Sequence, residues 1–457
     1  MTNWKSTVQA FYGGAWYPVF VVALALLGHV TGLDVAFIAA ILFSLVPALL
    51  LCDDFRFATM PILGVLFTVS TKDYTPYDNG YAERFFHPVT LTLIGVVGTA
   101  VVSSLIFFLI RNRKNCNPLP KKGVWLGLAV LCAGMIFNGA FSANHEWMDQ
   151  VYALLFALAV LAVYFLFALY MRFDRTGVDY TMYCFLLAGI LICAELICAY
   201  FKSVRITDGS IDKGSVVLGW GIWTAIGGML AFLMPVSFYF AASHRRGWLF
   251  FGIGLMEYLC VFLSQSRGAL LFGTLGLAIC MICLLLKGQN RKQNRILILG
   301  MAVLGVCGVL VLWDKLFAMA QNLLNSGLGD NGRFEIWGIA WSNFLKNPVF
   351  GSGFYDSFVD PAFEHSFDPY LYHNTVLQML GACGLVGFAA YLFHRVQTVR
   401  LIVKKPNLQK IFLGIAILTF LLFNLLDVLF FKFYPSFFYA LMLLCMEKSE
   451  TTEAVNQ

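Results

Sequence analysis

The sequence predicts an all-α polytopic membrane protein, and three observations carry that prediction. Of 457 residues, 60 % are hydrophobic and 12 % are charged, against roughly 25 % charged in soluble chains, and the mean hydropathy is +0.77. The apolar residues fall in long continuous runs, and Lys and Arg gather in the short connections between them. A soluble domain, a disordered chain, a collagen and a disulfide-rich secreted module are excluded by composition alone. A membrane β-barrel would instead alternate apolar and polar residues over segments of about ten.

A spanning helix needs about 20 mostly apolar residues. Runs at 16–33, 35–51, 57–70, 88–110, 123–141, 151–171, 181–201, 216–241, 248–264, 268–286, 296–312, 374–395, 411–427 and 429–446 supply fourteen candidates, so about 12–14 transmembrane helices are expected. The 57–70 run is the weakest, being short and interrupted by Pro61. The last two runs are almost contiguous and could form one broken helix pair. Neither an internal repeat nor a cleavable signal peptide is expected, because the first run is long and lacks a small-residue cleavage site.

Orientation follows from the cations. With both termini in the cytoplasm, 21 of the 31 Lys and Arg residues fall on the cytoplasmic side, the bias that sets topology in bacterial and eukaryotic membranes. The net charge of +6 is thereby explained by topology, and no nucleic-acid partner is expected. Most of the twelve cysteines lie within apolar runs, where Cys behaves as a small hydrophobe. No CxxC pair sits in a loop, so neither a zinc site nor a disulfide framework is implied.

This topology gives the outer face four substantial loops, 71–87, 142–150, 202–215 and 313–373, the last much the longest. Long loops are where function concentrates. Three regions of the outer face bear polar chemistry. Arg267, in Leu263-Ser264-Gln265-Ser266-Arg267-Gly268-Ala269, stands at the outer junction of two runs. A snorkelling anchor accounts for it as well as an anion site does; the anion reading draws on the helix N-terminus that Gly268 and Ala269 open. Next, Gly329-Asp330-Asn331-Gly332 is turn material preceding a helix over Arg333–Leu345, whose Phe334, Trp337, Trp341, Phe344 and Leu345 form one apolar stripe. A helix lying on the bilayer surface explains the aromatics but not Arg333 beside them. Pro348 ends that helix, and Gly351-Ser352-Gly353 would let backbone amides face a ligand. Finally His373, in Tyr370-Leu371-Tyr372-His373-Asn374, falls at the outer mouth of the 374–395 run. Glu364, His365, Asp368 and His373 match no metal-ligand spacing, so no metal and no cofactor is expected.

Two acids lie inside apolar runs, Glu195 and Glu257. Buried carboxylates in membranes are expensive and usually partnered or functional. Glu257 is about 15 Å along a helix from Arg267, too far for contact, so both acids are taken as supporting candidates. Asp427, at the outer end of the 411–427 run, is another.

Taken together, Ser266-Arg267-Gly268-Ala269, Gly332-Arg333-Phe334-Glu335-Ile336-Trp337, Asn347-Pro348-Val349-Phe350-Gly351-Ser352-Gly353, and His373-Asn374 followed by Gln378 and Gly384-Leu385-Val386-Gly387 resemble the O-antigen ligase and O-antigen polymerase family of bacterial membrane glycosyltransferases. The resemblance covers residues 216–395. It divides the chain into N-terminal helices (1–215), a ligase-like region with its outer loop (216–395), and C-terminal helices with a cytoplasmic tail (396–457).

The resemblance implies an architecture of the glycosyltransferase C type in the bacterial inner membrane, with the active site facing outward. It implies metal-independent transfer of a glycan from an undecaprenyl-diphosphate carrier to a glycan, lipid or protein acceptor, and in-line displacement of the diphosphate would invert the configuration. The family's two Arg and one His carry over to Arg267, Arg333 and His373, with Asn374 and Trp337 beside them as supporting candidates. A polymerase extending lipid-linked repeats, and a transporter or lipid flippase using Glu195 and Glu257, are the alternatives.

Overall fold

The computed structural model describes residues 2–70, 74–75, 78–79, 87–120, 123–143, 147–173, 175–207, 210–288, 291–311, 313, 332–354 and 371–454. Among these the chain is almost entirely helical: α1 (Thr2–Gly13), α2 (Trp16–Thr31), α3 (Asp34–Leu51), α4 (Thr59–Gly64), α5 (Pro88–Asn112), α6 (Trp125–Phe141), α7 (Trp147–Tyr170), α8 (Arg175–Lys202), α9 (Trp223–Ser243), α10 (Gly247–Leu263), α11 (Arg267–Lys287), α12 (Arg291–Val311), α13 (Arg333–Lys346), α14 (Thr375–Val403), α15 (Leu408–Phe423) and α16 (Phe433–Ala454). Strands are confined to three two-residue antiparallel hairpins: β1–β2 (Tyr74–Thr75, Asp78–Asn79), β3–β4 (Ile206–Thr207, Ser210–Ile211) and β5–β6 (Val217–Leu218, Gly221–Ile222).

The protein is thus an all-α polytopic membrane protein. Seven of the described helices are long and apolar enough to cross a membrane, an eighth arises if α1 and α2 form one bent span, and four further apolar helices are shorter. That is fewer full-length spans than the fourteen apolar runs suggest. Much of the difference is length, because the 57–70, 123–141, 248–264 and 411–427 runs form apolar helices of 10–17 residues. Residues 216–222 of the 216–241 run form the β5–β6 hairpin, and only Trp223 onward is helical. The last two runs are separated by a non-helical connection, 424–432, which carries Asp427.

Two opposite ends of the bundle can be read from polar contacts. At one, Arg111 pairs with Asp53 at 3.3 Å, and the Arg172 amide donates to Asp54 at 3.2 Å. At the other, His29 Nδ1 meets the Val69 carbonyl at 2.9 Å, and the Ser70 amide donates to Asp34 at 3.1 Å. The weak 57–70 run connects the two. It is a relay of a 3₁₀ turn (Phe55–Ala58), α4 and a second 3₁₀ turn (Val65–Thr68). Because 3₁₀ turns rise about 2.0 Å per residue, fourteen residues cover roughly 25 Å. Pro61 is tolerated because it falls in the first turn of α4, where no helical donor is lost.

α9 packs against α8, α10, α11 and α15 and is the most enclosed of the spans. α14 packs on α6 and α13, and it is broken at Gly384, whose φ is 61°. The break strands the Gly381 and Ala382 carbonyls and the Leu385 and Val386 amides. The segment after α13 repairs it. Ser352 and Gly353 amides donate to Gly381 and Ala382 at 2.9 and 3.0 Å, while Leu385 and Val386 amides donate to Pro348 and Val349 at 2.8 and 3.1 Å. Buried backbone groups must find partners, most strictly within a membrane. This corrects the expectation for Gly351-Ser352-Gly353: the Ser352 and Gly353 amides serve the broken helix rather than facing a ligand. A Cβ on Gly384 would collide with the Val349 carbonyl, and the left-handed backbone alone would cost a side chain about 1–3 kcal/mol. We expect Gly384→Ala to lower the thermal midpoint of the detergent-purified protein by several degrees.

Candidate active site

Arg267, Arg333 and His373 lie at one end of the bundle, the one marked by Asp34 and Ser70. The β5–β6 turn leads there, because Gly219 lies against the backbone of Val69 and Ser70, and α9 begins three residues after Trp220.

Arg267 is the first residue of α11 and is exposed. Its helix start is set by Ser266, whose hydroxyl accepts from the Ala269 amide at 3.4 Å. The 264–269 junction packs directly on α9 at Gly227, where a Cβ would collide with Ser264 and Ala269. The preceding residue pair includes Gln265 at φ 59°, a left-handed backbone that costs a non-glycine residue free energy. Arg333 is likewise the first residue of its helix, α13, behind Gly332 at φ 75°. The Arg333–Leu345 helix expected from the sequence therefore forms, ending one residue later at Lys346.

His373 also has a left-handed backbone, φ 51°. Such strain persists only where neighbours over-determine it, and here they do. Asn374 caps α14, its carboxamide oxygen accepting from Val376 and Leu377 amides at 2.9 and 3.1 Å. Its Nδ2 donates to the Leu425 carbonyl at 3.0 Å. Thr375 N donates to Asn424 O at 2.8 Å. On the other side, Tyr372 N donates to Gln378 at 2.8 Å and Asn343 of α13 donates to the Tyr372 hydroxyl at 2.9 Å. The backbone at His373 is thus fastened through Asn374 and Thr375 to the 424–432 connection and through Tyr372 to α13.

That arrangement brings His373 Nδ1 within 3.3 Å of Asp427 Oδ1, with the imidazole 41 % exposed and the carboxylate 9 %. Burial pushes the Asp427 carboxyl up, but His373, the Val428 amide and the Thr224 hydroxyl together hold it below the usual carboxylate range. An ionised carboxylate accepts only, so Nδ1 carries the hydrogen between them, and in the neutral ring Nε2 is then the acceptor. Asp427 is thereby moved from a marginal candidate to the immediate partner of His373.

Lys213 joins the same cluster, and no outer-loop motif pointed to it. Its ammonium sits 5.0 Å over the Trp223 ring. Burial holds its pKa down, as do the charges of Arg267 and then Arg333, while Asp427 offsets part of that effect. Arg267, Arg333 and Asp427 thus each lie close enough to Lys213 for their charges to act on it. Among the described residues neither Arg267 nor Arg333 forms an ion pair.

The supporting candidates are distributed differently. Trp337 packs edge-on against Phe334 at 5.4 Å, and its buried indole N–H has no partner among the described residues. Glu195 accepts from the Trp220 indole at 2.7 Å, and Glu257 from the Ser237 hydroxyl at 2.7 Å. Both acids are fully buried, Glu195 against the β5–β6 turn and Glu257 against α9. Glu364, His365 and Asp368 lie outside the described residues, as does the Gly329–Asn331 turn. Among the described residues no three His, Cys, Asp or Glu side chains are grouped to hold a metal.

Residues 251–392 match the Wzy_C family model, O-antigen ligase. The match contains Arg267, Arg333 and His373 and stops short of Lys213 and Asp427. No curated protein matches the chain significantly.

Proposed function

We propose that this chain, whose segment 251–392 belongs to the O-antigen ligase family, transfers a glycan from undecaprenyl diphosphate to an acceptor hydroxyl at the outer face of the bacterial inner membrane. The observation that carries the reading is the gathering of Arg267, Arg333 and the His373–Asp427 pair at one end of the bundle. The opposite end carries Arg56, Arg111 and Arg172, which supports a cytoplasmic assignment there and an outward one for the site.

The chemistry follows from the groups present. The acceptor hydroxyl attacks the anomeric carbon from the face opposite the diphosphate, so the configuration inverts. The new C–O bond forms as the old one breaks, and its electron pair leaves with the diphosphate oxygen. The hydroxyl proton passes to His373 Nε2, and Asp427 steadies the imidazolium. Arg267 and Arg333 hold the diphosphate, each guanidinium presenting a planar fork matched to phosphate oxygens. At 4 Å and an effective dielectric near 20, one such pair is of order 4 kcal/mol before desolvation. Side-chain cations then meet the charge that a divalent metal meets elsewhere, so the reaction runs without one.

Purified protein incubated with glycosyl-undecaprenyl diphosphate, an acceptor and a chelator should yield glycosylated acceptor and free undecaprenyl diphosphate by mass. Movement of the donor across a bilayer with no new bond would instead identify a flippase. A strict requirement for added divalent metal would contradict the cation scheme.

A further inference from the structure

We propose that Lys213 is a third cation of the site, the one that takes up the negative charge the lipid diphosphate gains when its glycan leaves. The inference rests on the reading of this end of the bundle as a diphosphate site and deepens it.

The position of Lys213 is built rather than incidental. It opens a single 3₁₀ turn, Lys213–Ser215, capped by Asp212, whose carboxylate accepts from the Gly214 amide at 3.0 Å. Asp212 is itself paired with Arg205 at 2.7 Å, and the turn is bracketed by the β3–β4 and β5–β6 hairpins. The ammonium lies 5.0 Å over Trp223, the first residue of α9. The next residue, Thr224, lies close enough to Asp427 for its hydroxyl to help hold the carboxyl down, and Asp427 holds His373 at 3.3 Å. One turn further along α9, Gly227 packs against Ser264, Ser266 and Ala269, the residues that flank Arg267. Lys213 thus stands one contact away from the elements that carry both the base and the first arginine.

Charge counting gives it a task. A glycosyl lipid diphosphate bears two negative charges, one on each phosphate. When the sugar–oxygen bond breaks, the electron pair stays on the terminal phosphate and adds a third. Arg267 and Arg333 match the two charges present before the reaction, and a third cation matches the one that appears during it. Three cations drawn together repel one another, a cost that Asp427 offsets in part and that a trianion would remove. Only interactions stronger in the transition state than in the bound donor raise kcat. A lysine suits this use, since its ammonium is a point charge on a flexible stem and can follow the departing oxygen.

The test uses the full-length protein in detergent with Lys213→Met, which keeps an apolar stem over Trp223, and Lys213→Arg and Lys213→Gln as companions should the Met variant fail to fold. Two quantities are read: affinity for free undecaprenyl diphosphate against glycosylated donor, and kcat against KM for transfer. Lys213→Met should weaken binding of the free diphosphate by about tenfold or more and leave that of the glycosylated donor nearly unchanged; kcat should fall by about ten- to a hundredfold with little change in KM. Lys213→Arg should recover most of both. Unchanged kcat and affinity in Lys213→Met overturn the inference while wild-type transfer leaves the diphosphate reading intact. Equal losses for free diphosphate and donor also overturn it, because they describe general attraction. A wild-type protein that binds neither form removes the diphosphate reading and this inference together.

Discussion

Arg267→Ala and Arg333→Ala should each slow glycan transfer by about a hundred- to a thousandfold, the usual consequence of removing one preorganised donor from a developing oxyanion. The variants should remain folded and in the membrane. Arg267 is exposed and Arg333 half-buried, and neither forms an ion pair among the described residues, so among those residues their loss leaves no buried charge unpaired. Arg→Lys replacements should recover part of the rate only, because an ammonium cannot span two phosphate oxygens as a guanidinium does. Rates from purified variants, set beside their thermal midpoints, separate the chemical effect from a folding defect. Wild-type rates in both alanine variants would return Arg267 to the role of a bilayer anchor.

His373 gives the second large effect. His373→Ala removes the proton acceptor, worth about 10²- to 10⁴-fold. Asp427→Asn is the more discriminating change. An amide in place of the carboxylate can offer its N–H to the ring and so favour the tautomer with Nε2 protonated, which cannot accept the hydroxyl proton. Losses of up to about 10⁴-fold follow from that inversion elsewhere, and Asn should therefore be nearly as damaging as Ala at this position. The sign with pH is also fixed. A carboxyl held below its unfolded value contributes stability that is fully present above the unfolded pKa and is lost as pH falls through the folded one. Asp427 stays ionised through the neutral range, and its replacement should lower the thermal midpoint at neutral pH more than in acid. A full rate in Asp427→Asn would detach Asp427 from the chemistry.

Much of this was legible in the residues. The helical runs follow from apolar continuity, and Arg267, Arg333 and His373 stand out because polar groups at helix mouths in a membrane protein are few. Trp337 and Asn374 fall where local spacing puts them. Other features depend on contacts that spacing does not encode. The Gly351-Ser352-Gly353 amides looked available until the break at Gly384, some thirty residues on, was seen to use two of them. Asp427 lies 54 residues from His373, and only the 424–432 connection folding against the α14 cap joins them. Lys213 belongs to a loop before the 216–395 region and carries no motif, so its place among the arginines is a product of the hairpins and α9. Glu195 and Glu257 attract notice as buried acids, yet Trp220 and Ser237 account for one oxygen of each.

Whether Arg267 and Arg333 act on one and the same diphosphate is tested most directly by a double-mutant cycle on transfer rates. Two donors sharing a ligand should couple by about 0.5–3 kcal/mol, so the double alanine variant should be markedly less impaired than the product of the single losses. Losses that multiply without coupling would mean that the two guanidiniums serve separate places, and the account would be contradicted.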